Sequence, residues 1–242
     1  MDLPPKIDPV SAVDPVVDLG TAYRSPRTYS KLLAGAFVLR IAALVVTGLI
    51  FLDLLDLVQA ARAGQDVAAE DAASVVQRAE HIDYFSKAFF VLCVVMFCQW
   101  VYRMARNASA LRGSRPVLSF APGWAVGWFF IPLMNLWRPY TVMAEIWDAS
   151  RPDNHDDPYA PPSHGLLLTW WLLWLAWNFV SGLLLRAGEP TDVESLVAQL
   201  YFGLASLFIE AVVIAFAMAV VWKLTRRQED RAAALLPPAR IA

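Results

Sequence analysis

The sequence predicts an all-α membrane protein: a four-helix transmembrane bundle plus a proline-broken helical segment that is either re-entrant or interfacial. Of the 242 residues, 58% are hydrophobic and 17% are charged, whereas a soluble domain has about 45–50% apolar and about 25% charged residues. The apolar residues also form long runs such as 165–185, which contains no formal charge. About 20 helical residues span a bilayer core of about 30 Å. A soluble enzyme, a secreted disulfide scaffold and a nucleic-acid binder all fit this composition poorly.

The charged and proline-rich stretches divide the chain into three parts. Residues 1–22 contain four Asp and four Pro, and we expect a disordered acidic tail there because such a composition cannot bury a core. The membrane domain follows at 23–227, and residues 228–242 are predicted to be a cytoplasmic tail. Within the membrane domain, a helix over 66–83 leads into the second span. The four spans are predicted at 32–52, 84–102, 165–185 and 196–222.

The distribution of Lys and Arg predicts the orientation in the membrane. The flank before the first span carries three such residues, the connection 103–122 carries four and the chain from Lys223 onward carries five, whereas the loop 59–83 carries two. Since positively charged flanks stay inside, both termini should be cytoplasmic. Four crossings already return the chain to the cytoplasm, so the apolar segment 122–147 should enter and leave on the same side.

The composition of segment 122–147 agrees with this expectation. Pro132 and Pro139 each remove a helical hydrogen bond, which predicts two half-helices, 123–131 and 139–147, joined by a turn. Broken backbone at membrane depth requires protein or a wet cavity around it. The tryptophans of the segment are predicted to be interfacial anchors: Trp124, Trp128, Trp137 and Trp147.

The same segment carries a family resemblance. Its residues 122–140 read PGWAVGWFFIPLMNLWRPY, and residues 142–147 read VMAEIW. This long, Trp- and Pro-rich stretch resembles the signature of a bacterial membrane family known as domain of unknown function 4328, with a similar layout over about 23–227. The resemblance implies a multi-pass protein of the bacterial inner membrane and carries no biochemical activity with it.

The signature contains three polar residues that are candidates for a function, Asn135, Arg138 and Glu145. They could form a gate or a small-ligand site at the cytoplasmic mouth, since polar groups in membrane segments often mark pathways. The alternative, which we prefer, is structural: Asn135 caps broken backbone, and Arg138 pairs with Glu145 or with lipid phosphate. The candidate residues of the signature are Trp124, Trp128, Pro132, Asn135, Trp137, Arg138, Pro139 and Glu145.

A second candidate site lies within the spans themselves. Glu210 is near the middle of the last span, where an unpaired carboxylate costs at least about 2.5 kcal/mol. Gln199 and Ser206 share its helical face, and Arg40 in the first span is the expected partner if the two spans are neighbours. Such a group could be a proton- or ion-coupled site, but we prefer an ion pair that fixes the register of the helices.

No motif in the sequence indicates an enzyme or a cofactor. The three histidines and two cysteines lack metal-ligand spacing, and no phosphate-binding, HExxH or GxSxG pattern is present. We expect a non-enzymatic membrane protein with a structural, assembly or regulatory role, which needs no cofactor. The alternative is a small transporter or channel that is gated by the re-entrant segment and coupled through Glu210. Expected partners are the lipid bilayer and a helical membrane protein or second copy, but not nucleic acid, because the net charge is −2.

Overall fold

The computed structural model describes residues 23–111, 118–151 and 164–235, and all regular secondary structure in these ranges is helical. Four helices are long and apolar enough to cross a membrane. This confirms the predicted all-α membrane bundle. The elements are α1 (Arg27–Arg62), α2 (Ala69–Leu111), α3 (Trp124–Gly127), a 3-10 turn (Met134–Leu136), α4 (Arg138–Ala149), α5 (Gly165–Ala187) and α6 (Val193–Leu235), with the four candidate spans in α1, α2, α5 and α6.

Three of the helices are much longer than the spans predicted from hydropathy, and the shortest of the three is α1, with 36 residues where the span 32–52 was expected. The separate helix expected at 66–83 and the second span form one helix of 43 residues, α2. The last helix, α6, also has 43 residues and runs to Leu235, past the boundary at 227 where a tail was expected. At 1.5 Å per residue each measures about 65 Å, so both extend well beyond a bilayer core of about 30 Å. The acidic tail predicted at 1–22 lies outside the described residues.

The bundle is organised around α1 and α6, which pack against each other. Helix α2 packs mainly on α1, and α5 packs mainly on α6. At Gly203 the backbone of α6 approaches α1 so closely that a Cβ atom would lie 2.5 Å from the ring of Phe51. Small residues permit such close approaches between membrane helices. The packing of α1 against both α2 and α6 places the inner faces of these three helices around a common centre.

The segment between α2 and α5 leaves and re-enters the bundle at one end. Arg231 donates hydrogen bonds to the carbonyl of Leu111 at 2.7 Å, before the segment, and to the carbonyl of Arg151 at 2.9 Å, after it. The two ends of the segment therefore lie at the same end of the bundle. Its Phe129 ring contacts Phe97 of α2, with the ring centroids 5.7 Å apart. Phe97 lies six residues before Arg103 on α2, which places this contact about 9 Å from Arg103 toward the middle of the helix.

The two half-helices of this segment differ in length. The first half-helix, expected at 123–131, is a single turn, α3, that ends at Gly127, before Pro132. Leu133 follows with φ of 65°, and the amide of Met134 donates to the carbonyl of Pro132 at 2.8 Å. This is a γ-turn, a strained conformation for a residue with a Cβ atom. The second half-helix, α4, has Pro139 in its first turn as expected.

Candidate functional site

The centre of the bundle holds a buried ion pair between α1 and α6. The Arg40 guanidinium binds the Glu210 carboxylate in a two-pronged arrangement, with Nε to Oε1 at 2.7 Å and Nη2 to Oε2 at 2.9 Å. Arg40 Nη1 also donates to the carbonyl of Ser86 on α2 at 2.6 Å and to the hydroxyl of the same residue. One guanidinium thus joins three spans, and the partner expected from the sequence is the one that Glu210 has.

Both residues of this ion pair are buried inside the protein. Arg40 is 8% exposed and Glu210 is 6% exposed, while the ring of Phe90 lies 5.6 Å from Arg40 Cζ. In such a low-dielectric environment each charge would be costly alone, and each neutralises the other. The planar guanidinium matches the carboxylate geometry, which a lysine cannot do.

The other two predicted residues of this second candidate site, Gln199 and Ser206, do not join the ion pair. The hydroxyl of Ser206 is buried and lies 3.3 Å from the hydroxyl of Ser181, which links α6 to α5. Gln199 is eleven residues before Glu210 and donates to the carbonyl of Gly188 at 3.0 Å, just beyond the end of α5. The predicted site therefore consists of a central ion pair, a contact between α5 and α6, and a contact of α6 with the connection that precedes it.

A cavity of about 210 Å³ lies directly against the ion pair. Arg40 and Glu210 contribute to its wall, and most of the remaining wall is aromatic. The rings connect α2, α5 and the proline-broken segment 122–147 (the broken segment). Phe90 and Trp177 have centroids 5.8 Å apart, and Phe129 and Trp174 have centroids 6.5 Å apart. The aromatic lining residues are Phe37, Phe90, Phe97, Phe129, Phe130, Trp170, Trp174 and Trp177.

The structure places Arg138 and Glu145 of the signature segment against separate partners. Arg138 lies over the ring of Trp128, with Cζ 5.3 Å from its centroid. Glu145 accepts hydrogen bonds from the amide of Ser119 at 2.8 Å and from its hydroxyl at 2.5 Å. Within the described part of the chain the two residues do not pair with each other. The Oδ1 atom of Asn135 is buried there without a hydrogen bond, so it caps no backbone group.

The four tryptophans of the segment fall into two groups. Trp124 and Trp137 are 49% and 47% exposed, as interfacial anchors would be, and Trp128 packs against Trp124 with centroids 4.7 Å apart. Trp147 is only 2% exposed. Its ring is covered by Arg227, whose Cζ is 4.6 Å from the centroid. The prediction of an interfacial anchor is therefore wrong for Trp147, which belongs to the core.

A second buried polar cluster was missed by the sequence analysis. Gln228 is fully buried, donates to the carbonyl of Met104 at 2.8 Å and to the hydroxyl of Ser150 at 3.1 Å, and accepts from Asn107 Nδ2 at 3.1 Å. It ties the ends of α2, α4 and α6 together. A signal was available: Gln228 follows Glu210 by 18 residues, five helical turns, and so continues the same face.

Close to this cluster, the chain before α1 is attached to α6. Arg27 and the hydroxyl of Ser25 both bind the carboxylate of Glu229. Burial, together with the nearby Glu229 carboxylate, raises the pKa of Tyr23 to about 12. The phenol is consequently neutral over the physiological pH range. The start of α1 and the last turns of α6 are thus held together at one end of the bundle.

Comparison with known proteins identifies a family and no activity. No curated protein and no solved structure matches the chain. The family model described as Domain of unknown function (DUF4328) matches residues 61–226, which include Ser86, Glu210 and the whole broken segment, whereas Arg40 lies before the matched range. Because this match covers more than half of the sequence, the chain belongs to the DUF4328 family.

Proposed function

We propose that this protein is a non-enzymatic integral membrane protein of the bacterial inner membrane, with a structural, assembly or regulatory role. The observation that carries the proposal is the Arg40–Glu210–Ser86 cluster, in which the two charged groups that lie deepest in the spans bind each other. Four of the five N–H groups of Arg40 are engaged in this cluster. Such an arrangement fixes the positions of helices, which a scaffold or an assembly factor requires.

We further propose that both termini are cytoplasmic and that segment 122–147 enters the membrane from that side. Two observations support this orientation. The start of α1 and the end of α6 meet through Arg27 and Glu229, and both ends of the broken segment reach Arg231. The basic flanks of the spans are concentrated at the same end, where positive charge favours the cytoplasm.

Cysteine labelling tests the orientation. In a background with Cys93→Ala and Cys98→Ala, a cysteine that replaces the exposed Asp230 should react with a membrane-impermeant maleimide only after the cells are permeabilised. A cysteine that replaces the exposed Gln65, between α1 and α2, should react in intact cells. Gln228 is unsuitable because it is fully buried. Labelling of position 230 in intact cells would contradict the proposed orientation.

A small transporter or channel is the second candidate function. The observation that favours it is the cavity, which extends from Glu210 to Phe129 and Phe130 of the broken segment. Movement of these two rings would open or close access to the ion pair. In this alternative the broken segment is a cytoplasmic gate and Glu210 is the coupling residue.

Measurement of proton flux in proteoliposomes separates the two functions. For a scaffold we expect the parent and the Glu210→Gln variant to match protein-free liposomes, because no proton path is needed. The matched control is Glu194→Gln, an exposed glutamate in the first turn of α6. Native mass spectrometry of the protein, extracted with surrounding lipid, should also detect a second protein chain, either another copy or a helical membrane protein.

Either of two outcomes would contradict the proposed scaffold. One is a flux that the parent supports, that Glu194→Gln retains and that Glu210→Gln abolishes, because a proton-coupled path would then use the carboxylate. The other is a strictly monomeric protein with no associated chain at native expression levels. A flux that depends on Glu210 would favour the transporter. A monomeric protein without such a flux would exclude the assembly role.

A further inference from the structure

We propose that the cavity beside the Arg40–Glu210 ion pair, bounded by α1, α2, α5, α6 and the broken segment, binds a small, uncharged aromatic molecule that carries a hydrogen-bond-accepting oxygen. The inference does not depend on the proposed function, because the cavity can hold a ligand whether the bundle acts in assembly or in transport. Concave, mostly apolar sites with a few polar groups are the usual form of small-molecule sites.

The cavity has room for one or two rings. An apolar protein cavity of about 150 Å³ binds benzene, and this cavity has a volume of about 210 Å³. A whole phospholipid or a long isoprenoid is much larger than this. Two fused rings with one small substituent match the available volume.

The charges around the cavity indicate a neutral ligand. Arg40 and Glu210 compensate each other through two hydrogen bonds, so the wall offers no unbalanced charge to an ion. A charged group at this depth would cost at least about 2.5 kcal/mol on insertion scales. The aromatic side chains favour a planar ring, because offset or edge contacts between rings add to the apolar burial.

The position of the oxygen follows from the hydrogen bonds of Arg40. Its Nε–H, both Nη1–H groups and one Nη2–H are directed to Glu210 or Ser86. The second Nη2–H has no partner among the described residues. Arg40 lies in the cavity wall, so a ligand carbonyl can accept this hydrogen bond without disturbing the ion pair.

The cavity opens toward the side of the bundle. Residues at its rim include Phe90 on α2, Phe130 in the broken segment and Asn178 on α5, and all three are exposed. Phe90 and Asn178 lie within the predicted spans 84–102 and 165–185. A ligand would therefore enter from the bilayer, where neutral aromatic molecules concentrate.

Fluorine NMR of the protein in lipid nanodiscs tests the proposal. The probes are 5-fluoro-1-indanone and 5-fluoroindane, which differ only in the carbonyl oxygen. We expect a saturable bound resonance for the ketone and affinity about tenfold higher than for the hydrocarbon, as a hydrogen bond to a charged donor provides. Unlabelled 1-indanone should displace the bound ketone.

Two variants on α6 localise the binding. Ala217→Phe fills the cavity, because Ala217 is buried in its wall, and should abolish the bound resonance. Ala215→Phe adds the same ring at an exposed position of the same helix that is not part of the wall, and should preserve it. If Ala217→Phe does not fold, Ala217→Leu replaces it, because leucine adds less volume. The comparison of the two probes uses the parent protein and needs no variant.

Three results would overturn the proposal. The first is the absence of a saturable bound resonance with the parent protein, and the second is equal affinity for the ketone and the hydrocarbon, which would mean that the oxygen accepts no hydrogen bond from Arg40. The third is a bound resonance that a folded Ala217→Phe or Ala217→Leu variant leaves unchanged, which would place the site elsewhere. None of these results bears on the flux or assembly tests, so the two proposals fail independently.

Discussion

Replacement of Glu210 with alanine is expected to lower the free energy of unfolding by about 3–5 kcal/mol, the usual cost of leaving one partner of a buried ion pair alone. The guanidinium of Arg40 would lose two hydrogen bonds, at 2.7 and 2.9 Å, and would remain charged among apolar side chains. The measurement is unfolding of the purified protein in mixed micelles by added SDS, followed by tryptophan fluorescence.

Two controls separate the loss of the ion pair from the loss of a side chain. Glu194→Gln, at an exposed position of the same helix, should change stability by less than about 0.5 kcal/mol. The double variant Arg40→Met with Glu210→Met should recover most of the stability, because apolar residues of similar volume often replace a buried ion pair at little cost. If the single and double variants were equally unstable, the contribution would come from packing and not from charge.

This ion pair was predictable because the bilayer restricts the choices. A carboxylate near the middle of a span needs a partner, and the sequence offers only Arg40 as a cation deep within another span. The additional contact to Ser86 was not predictable, since a serine fits a membrane helix with or without a partner. Hydropathy therefore identified the two charged residues, and only the structure identified the third helix that they hold.

The same reasoning did not extend to the residues beyond the bilayer. Hydropathy limits a span to the apolar core, so it ended the last span at 222, whereas α6 continues to Leu235. Outside the core, helix length depends on side-chain contacts such as those of Gln228 with α2 and α4. The spacing of five turns from Glu210 is present in the sequence, but it has meaning only if the helix continues to Gln228, and hydropathy ends the span at 222.

The broken segment shows a different limit of sequence reasoning. The expectation that it enters and leaves on one side of the membrane rests on counting charges, because parity depends only on the number of crossings. The partners of Arg138 and Glu145 did not follow, although α4 begins at Arg138 and places them two turns apart. Trp128 and Ser119 lie in irregular backbone before α4, where no helical period predicts which side chains meet.

Replacement of Trp147 with alanine is expected to destabilise the protein by about 3–5 kcal/mol, the typical range for a buried aromatic residue. The ring is 2% exposed, and two cations lie over it, Lys223 at 5.9 Å and Arg227 at 4.6 Å from its centroid. Both cations come from α6, so the ring attaches α4 to α6. The same SDS unfolding experiment measures the effect.

The matched control for Trp147 lies ten residues earlier in the same segment. Trp137 is 47% exposed, and Trp137→Ala should change stability by less than about 1 kcal/mol, since most surface substitutions have small effects. Trp147→Phe keeps a ring beneath the two cations and should lose less stability than Trp147→Ala. If both alanine variants were equally destabilising, anchoring at the membrane surface would explain the two tryptophans better than core packing, because anchoring acts on exposed rings. A large difference between them means that the broken segment is held in place chiefly by the buried Trp147, at the end where the chain returns to the bundle.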